Sequence, residues 1–105
     1  MRPYYAKDGI VIYNADCREV IPTLAPESIG VVLTDPPYNV GKHYGEMTDD
    51  NKPEADYWAD YAETFGSVWP AMKLDTYLYV SSTTNQMYHV RPLMEALGWL
   101  SLIHI

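Results

Sequence analysis

Residues 29–38 read Ile-Gly-Val-Val-Leu-Thr-Asp-Pro-Pro-Tyr. An almost wholly apolar run of this length predicts a strand over 29–34, and its lack of alternation predicts helices on both of its faces. The strand is expected to stop at Asp35, because each proline disfavours the α region for the residue before it and removes a ladder donor. At that point the chain presents a carboxylate that only accepts, proline carbonyls on a backbone of fixed φ, and the flat ring of Tyr38. Together these groups suit a planar partner bearing an NH₂.

Working outward, "IVIYN" (10–14) is a short β-branched and aromatic run between turn residues. It predicts a buried strand that delivers Asn14, Ala15 and Asp16 to its carboxyl end, with residues 1–9 as an irregular start. "CREVIPTL" (17–24) predicts a short helix with Val20, Ile21 and Leu24 on one side. Asp16 stands where it can accept the helix's first N–H bonds, and Pro22 limits the helix's length. Downstream, residues 39–52 form a long polar loop in which Asn39, Lys42, His43 and Tyr44 are candidates for substrate contact or simply solvated. Pro53 suits the first position of a helix whose stripe of Tyr57/Trp58, Tyr61/Ala62, Phe65, Val68/Trp69 and Met72 reads as core. "TYLYVSS" (76–82) predicts a strand, and "NQMYHVRPLMEAL" (85–97) a helix kinked or started late by Pro92 and capped by Gly98. "WLSLIHI" (99–105) opens a fourth strand. Its final six residues equally resemble translated read-through of a sequencing adapter.

Strands alternating with helices imply a mainly parallel α/β sheet with flanking helices and right-handed crossovers. Ligands in such sheets bind beyond the carboxyl ends of the strands, where Asp16, Asp35 and Ser81/Ser82 are expected to meet. Ser81 and Ser82 fit a pocket lining or a plain turn. At 105 residues and 48% hydrophobic content, the chain has room for one domain, 1–105, and no more.

A formal charge of −7 argues against a surface that grips phosphates by itself. Cys17 stands alone, so no intramolecular disulfide forms, and it reads as small core rather than a nucleophile. No leader or long apolar run is evident, so the expected setting is a reducing cytoplasm, with no membrane partner. His43, His89 and His104 lack metal-ligand spacing, so no metal is expected.

The segment "IYNADCREVIPTLAPESIGVVLTDPPYNVG" (12–41) resembles the opening of the amino-methyltransferases that carry a D-P-P-Y motif. The order is that of the permuted group in which this motif precedes the cofactor's glycine motif. The resemblance implies an incomplete Rossmann-like fold dependent on S-adenosylmethionine, with methyl transfer to N6 of adenine or N4 of cytosine in DNA. Adenine is favoured because the cytosine members more often carry Ser in place of Asp35. It implies that Asp35, Pro36, Pro37 and Tyr38 are the catalytic motif, in which Asp35 and the Pro36 carbonyl accept the two hydrogens of the exocyclic amine and Tyr38 stacks on a base rotated out of the helix. Asp16 falls where the family commonly places an acid for the cofactor's adenine amine, and a helix cap is the equal alternative.

Three family features are missing: a Phe-x-Gly-x-Gly-like loop, an acid for the cofactor ribose and a target-recognition region. The expectation is therefore the amino-terminal catalytic portion of a bacterial or phage enzyme, inactive alone, marginally stable, and completed by a carboxyl-terminal half that also holds the DNA. The alternatives are a segment of an RNA methyltransferase, and a non-catalytic module or half that assembles with a separate cofactor-binding part.

Overall fold

The computed structural model describes residues 1–41 and 50–100. It begins with an antiparallel hairpin, β1 (Tyr5–Lys7) and β2 (Ile10–Ile12), in which Lys7 pairs with Ile10. Asp8 and Gly9 connect them with φ of 54° and 78°, the positive values that a two-residue turn of the I′ kind requires. This corrects the expectation for both segments. Residues 5–7 are a strand rather than an irregular start, and 10–12 pair only with it, with Ile10, Val11 and Ile12 each about half exposed. The Asp-Gly turn folds the run back on its own neighbour, outside the parallel sheet.

Helix α1 (Cys17–Val20) is a single α turn that tightens into a 3₁₀ turn at Ile21–Thr23, with Pro22 at its start where no N–H is needed. Cys17 is exposed, not small core, because it opens a helix too short to bury its first turn. Strand β3 (Ile29–Thr34) and strand β4 (Met72–Val80) form a two-stranded parallel sheet, with Val31 opposite Tyr77 and Thr34 opposite Val80. Between them run α2 (Glu54–Val68) and a 3₁₀ turn at Trp69–Ala71; α3 (Met87–Ala96) follows β4.

One face of this sheet is covered. Tyr57, Tyr61 and Phe65 of α2 pack with Val90 and Met94 of α3, and Leu78 and Val80 of β4 lie against them. Burying each such side chain contributes about 1.5–3 kcal/mol, so this cluster, and not the hairpin, holds the chain together. The opposite face carries Val31, Leu33, Tyr77 and Tyr79, all more than half exposed, Leu33 at 82%. The expectation that helices cover both faces therefore fails among the described residues.

Pro53 precedes α2 by one residue as its cap instead of opening it. Helix α3 runs through Pro92 and begins well before it. It ends where expected: Gly98 adopts φ 103°, its N–H reaches the Glu95 carbonyl at 3.0 Å, and the Trp99 N–H reaches Met94 at 2.9 Å, the paired bonds of a Schellman close. Trp99 and Leu100 follow without regular structure. The rest of the expected fourth strand, 101–105, lies outside the described residues, as do Lys42, His43, Tyr44 and His104.

Candidate functional site

Asp35, Pro36, Pro37 and Tyr38 continue directly from β3 at its carboxyl end, beside the Ser81 N–H, which bonds the Thr34 carbonyl at 3.0 Å. Two consecutive prolines contribute no N–H, so the turn is anchored through its acceptors. The Tyr57 hydroxyl, from the first turns of α2, donates to the Pro37 carbonyl at 2.5 Å. The side-chain amide of Gln86, at the cap of α3, donates to the Tyr38 carbonyl. The Tyr38 hydroxyl donates to Asp35 Oδ1 at 2.5 Å.

Among the described residues no donor reaches Asp35 Oδ2 or the Pro36 carbonyl. The motif therefore keeps these two acceptors open, one on a side chain and one on the adjacent peptide, while Asp35 Oδ1 is tied to Tyr38 and the Pro37 and Tyr38 carbonyls are tied to Tyr57 and Gln86. A primary amine presents two hydrogens, and this is the complementary arrangement.

The loop after the motif is pinned at its neck. Asn39 takes φ 57°, and its side chain exchanges bonds with the Lys52 backbone, receiving its N–H at 2.7 Å and donating to its carbonyl at 3.0 Å. Asp50, only 3% exposed, accepts the N–H groups of Asn39 at 2.9 Å and Val40 at 3.1 Å. Of the loop candidates, Asn39 thus has a structural task, and Asp50 was not anticipated. The serines after β4 serve the turn into α3: Ser82 Oγ donates to the Thr83 carbonyl at 3.1 Å, and Thr83 Oγ1 accepts the Gln86 N–H at 3.1 Å.

Asp16 does not join this edge as expected, because β2 lies outside the parallel sheet. Its carboxylate caps α1, accepting the Arg18 N–H at 2.9 Å, and it pairs with the Arg18 guanidinium at 2.7 Å. These hydrogen bonds hold its pKa down at about 2. Arg18 also reaches Asp60 of α2 at 2.8 Å, and Asp60 in turn pairs with Lys52 at 2.8 Å. A charged chain therefore links the cap of α1 to the neck of the loop beside the motif. Arg18 lies on both carboxylate oxygens of Asp16, as the helix-cap reading expects. Among the described residues no cluster of His, Cys, Asp and Glu is arranged to hold a metal, and no helix is long and apolar enough to cross a membrane.

Tyr57 and Gln86 were missed as site residues. The only sequence signal for Tyr57 was its place in the α2 stripe, where a phenol looks the same whether it is buried for its ring or for its hydroxyl. Burial raises its pKa above the usual tyrosine value, against the opposing Gln86 amide beside it, so the hydroxyl remains a donor.

Against known proteins, the chain is 36% identical over 52 residues to the type II methyltransferase M.BamHI of Bacillus amyloliquefaciens, a match covering 49% of this chain and 12% of the relative. It is 24% identical to the type II methyltransferase M2.LlaDCHI of Lactococcus lactis subsp. cremoris over 99% of this chain and 43% of the relative. It is 33% identical to the type II methyltransferase M.ScaI of Streptomyces caespitosus over 41% of this chain and 14% of the relative.

The chain is similar to type II methyltransferases.

No family model matches it. The chain spans less than half the length of the curated relatives it matches. Its small α/β architecture, a parallel sheet with flanking helices, is compatible with a portion of such a methyltransferase.

Proposed function

We propose that this chain is the base-capturing portion of a DNA methyltransferase that moves a methyl group from S-adenosylmethionine to the exocyclic amine of a flipped base, most readily N6 of adenine. The reading rests on the pair of open acceptors, Asp35 Oδ2 and the Pro36 carbonyl, at the carboxyl end of a parallel strand. An exocyclic amine is a poor nucleophile because its lone pair is delocalised into the ring. Two fixed acceptors hold its hydrogens so that the lone pair turns out of conjugation, and the gain is one of orientation and electrostatics. Tyr38 supplies the stacking face for the base. The resemblance of the D-P-P-Y segment to the permuted amino-methyltransferases, and the similarity to type II methyltransferases along 99% of the chain, support the same reading.

The cofactor supplies the electrophilic methyl; the pieces that bind its methionine and ribose, and the region that reads DNA, lie in this reading outside residues 1–105. The bare sheet face and the acidic balance agree with such a division of labour. The assay is transfer of labelled methyl from S-adenosylmethionine by the assembled enzyme, followed by mass analysis of the nucleosides. N6-methyladenine in DNA is the expected product. N4-methylcytosine would reassign the base, methyl on RNA alone would favour the RNA reading, and no transfer to either polymer would overturn the proposal.

A further inference from the structure

The two helices that pack on the sheet also hold the motif, and they do so through the Pro37 and Tyr38 carbonyls, leaving the Pro36 carbonyl open. We propose that Tyr57 is a positioning residue for the base amine, with Gln86 as its partner: together they hold the Pro37 and Tyr38 carbonyls and so orient the Asp-Pro-Pro-Tyr turn with the Pro36 carbonyl left open as an acceptor. This inference rests on the function proposed above.

Both proline φ angles are fixed by their rings, so the direction of each carbonyl depends on the ψ angles of Pro36 and Pro37 and on the backbone of Tyr38. Tyr57 takes the Pro37 carbonyl at 2.5 Å, which sets the plane of the Pro37–Tyr38 peptide. Gln86 takes the Tyr38 carbonyl, which sets the plane after it. The Tyr38 hydroxyl then holds Asp35 Oδ1 at 2.5 Å. The freedom left in the turn lies at Pro36, whose carbonyl meets no described donor. Tyr57 is 8% exposed with its ring edge-on to Trp58 at 4.8 Å, and the backbone N–H of Gln86 is held by Thr83 Oγ1 at 3.1 Å. Positioning groups borne on helices hold such geometry better than groups on loops.

A purely structural role makes a different prediction. Pro37 is exposed, so water can replace the Tyr57 hydroxyl on its carbonyl, and loss of that hydroxyl costs the fold little. Orientation of the amine has no such substitute, and small misplacements of reacting groups lower rates steeply.

The test is Tyr57→Phe in the assembled methyltransferase, with kcat, the KM for DNA, the KM for S-adenosylmethionine and Tm measured together. We expect kcat to fall about 10- to 100-fold while either KM moves less than about threefold and Tm shifts by no more than about 5 °C. A kcat within about twofold of the unaltered enzyme overturns the inference, and so does a fall in kcat no larger than the fraction of unfolded protein. Gln86→Leu removes the second anchor and carries the same expectations, so the inference stays open to refutation if Tyr57→Phe fails to fold. Absence of methyl transfer by the unaltered enzyme is a separate result: it removes the proposed function and this inference with it.

Discussion

The Tyr38 hydroxyl donates to Oδ1 of Asp35 at 2.5 Å, so the stacking ring and the amine-accepting carboxylate form one hydrogen-bonded unit. The two contributions separate by substitution. Tyr38→Phe keeps the ring and releases Oδ1, and base capture is expected to stay near normal. Tyr38→Ala removes the stack, at a cost of about 1–3 kcal/mol, which weakens capture about 5- to 150-fold. Asp35→Ala is expected to abolish turnover with Tm little changed, since Asp35 is exposed. Fluorescence of 2-aminopurine at the target position follows capture, and methyl transfer follows turnover; normal turnover by Asp35→Ala would sink the assignment.

Arg18 predicts a response to acid. Asp16 is held at about 2 against an ordinary 3.8, first by its side-chain bond to Arg18. A carboxyl with a depressed folded-state pKa stabilises the fold above its unfolded value, and that stabilisation disappears as pH falls through the folded value. The contribution of Asp16 is therefore complete above about pH 4 and fades toward pH 2, and it is modest because the side chain is 41% exposed. Asp60, lowered chiefly by its hydrogen bond with Lys52, acts in the same direction. Arg18→Leu should return the Asp16 pKa toward 3.8 and move acid unfolding to higher pH. Carboxyl-carbon NMR titration reads the first effect and circular dichroism the second; an unmoved Asp16 pKa would contradict the geometry.

Tyr61 marks a cost inside the core. Its hydroxyl is buried and has no hydrogen-bond partner among the described residues, and burial drives its pKa far above the usual tyrosine value. An unpaired buried hydroxyl is unfavourable, so Tyr61→Phe should leave stability unchanged or raise it by up to about 1 kcal/mol. A loss of more than about 1 kcal/mol in urea unfolding would mean that the hydroxyl has a partner.

The bare sheet face bears on solubility. Leu33 and Tyr77, 82% and 57% exposed, stand on an apolar surface whose strand edges are unpaired among the described residues, and chains associate on such surfaces. The isolated chain should therefore be marginally stable and aggregate with rising concentration. Leu33→Lys should suppress that aggregation in the isolated chain at a stability change within about 0.5 kcal/mol. In an assembled enzyme the same substitution should interfere with whatever covers the face. Light scattering against concentration checks the first claim, and a soluble monomer with sharp cooperative unfolding would refute it.

Short-range chemistry determined a good part of this molecule. The apolar run 29–34 ends at Asp35 because two prolines follow it, Asp16 caps α1 because a short carboxylate precedes a helical turn, and Gly98 closes α3 because its φ of 103° suits glycine. Each of these is settled by neighbours along the chain, and so was the α2 stripe, which repeats at helical spacing. Only the tertiary structure decided the rest. Whether 10–12 would join the parallel sheet or fold back on 5–7 depended on which partner strand was available, and apolar character is the same in either place. Whether both faces of β3 would be covered depended on distant segments for the same reason. That the Tyr57 hydroxyl and the Gln86 amide converge on a turn at residues 35–38 depended on the packing of two helices against one sheet, because a buried phenol carries no mark in sequence of which carbonyl it will meet.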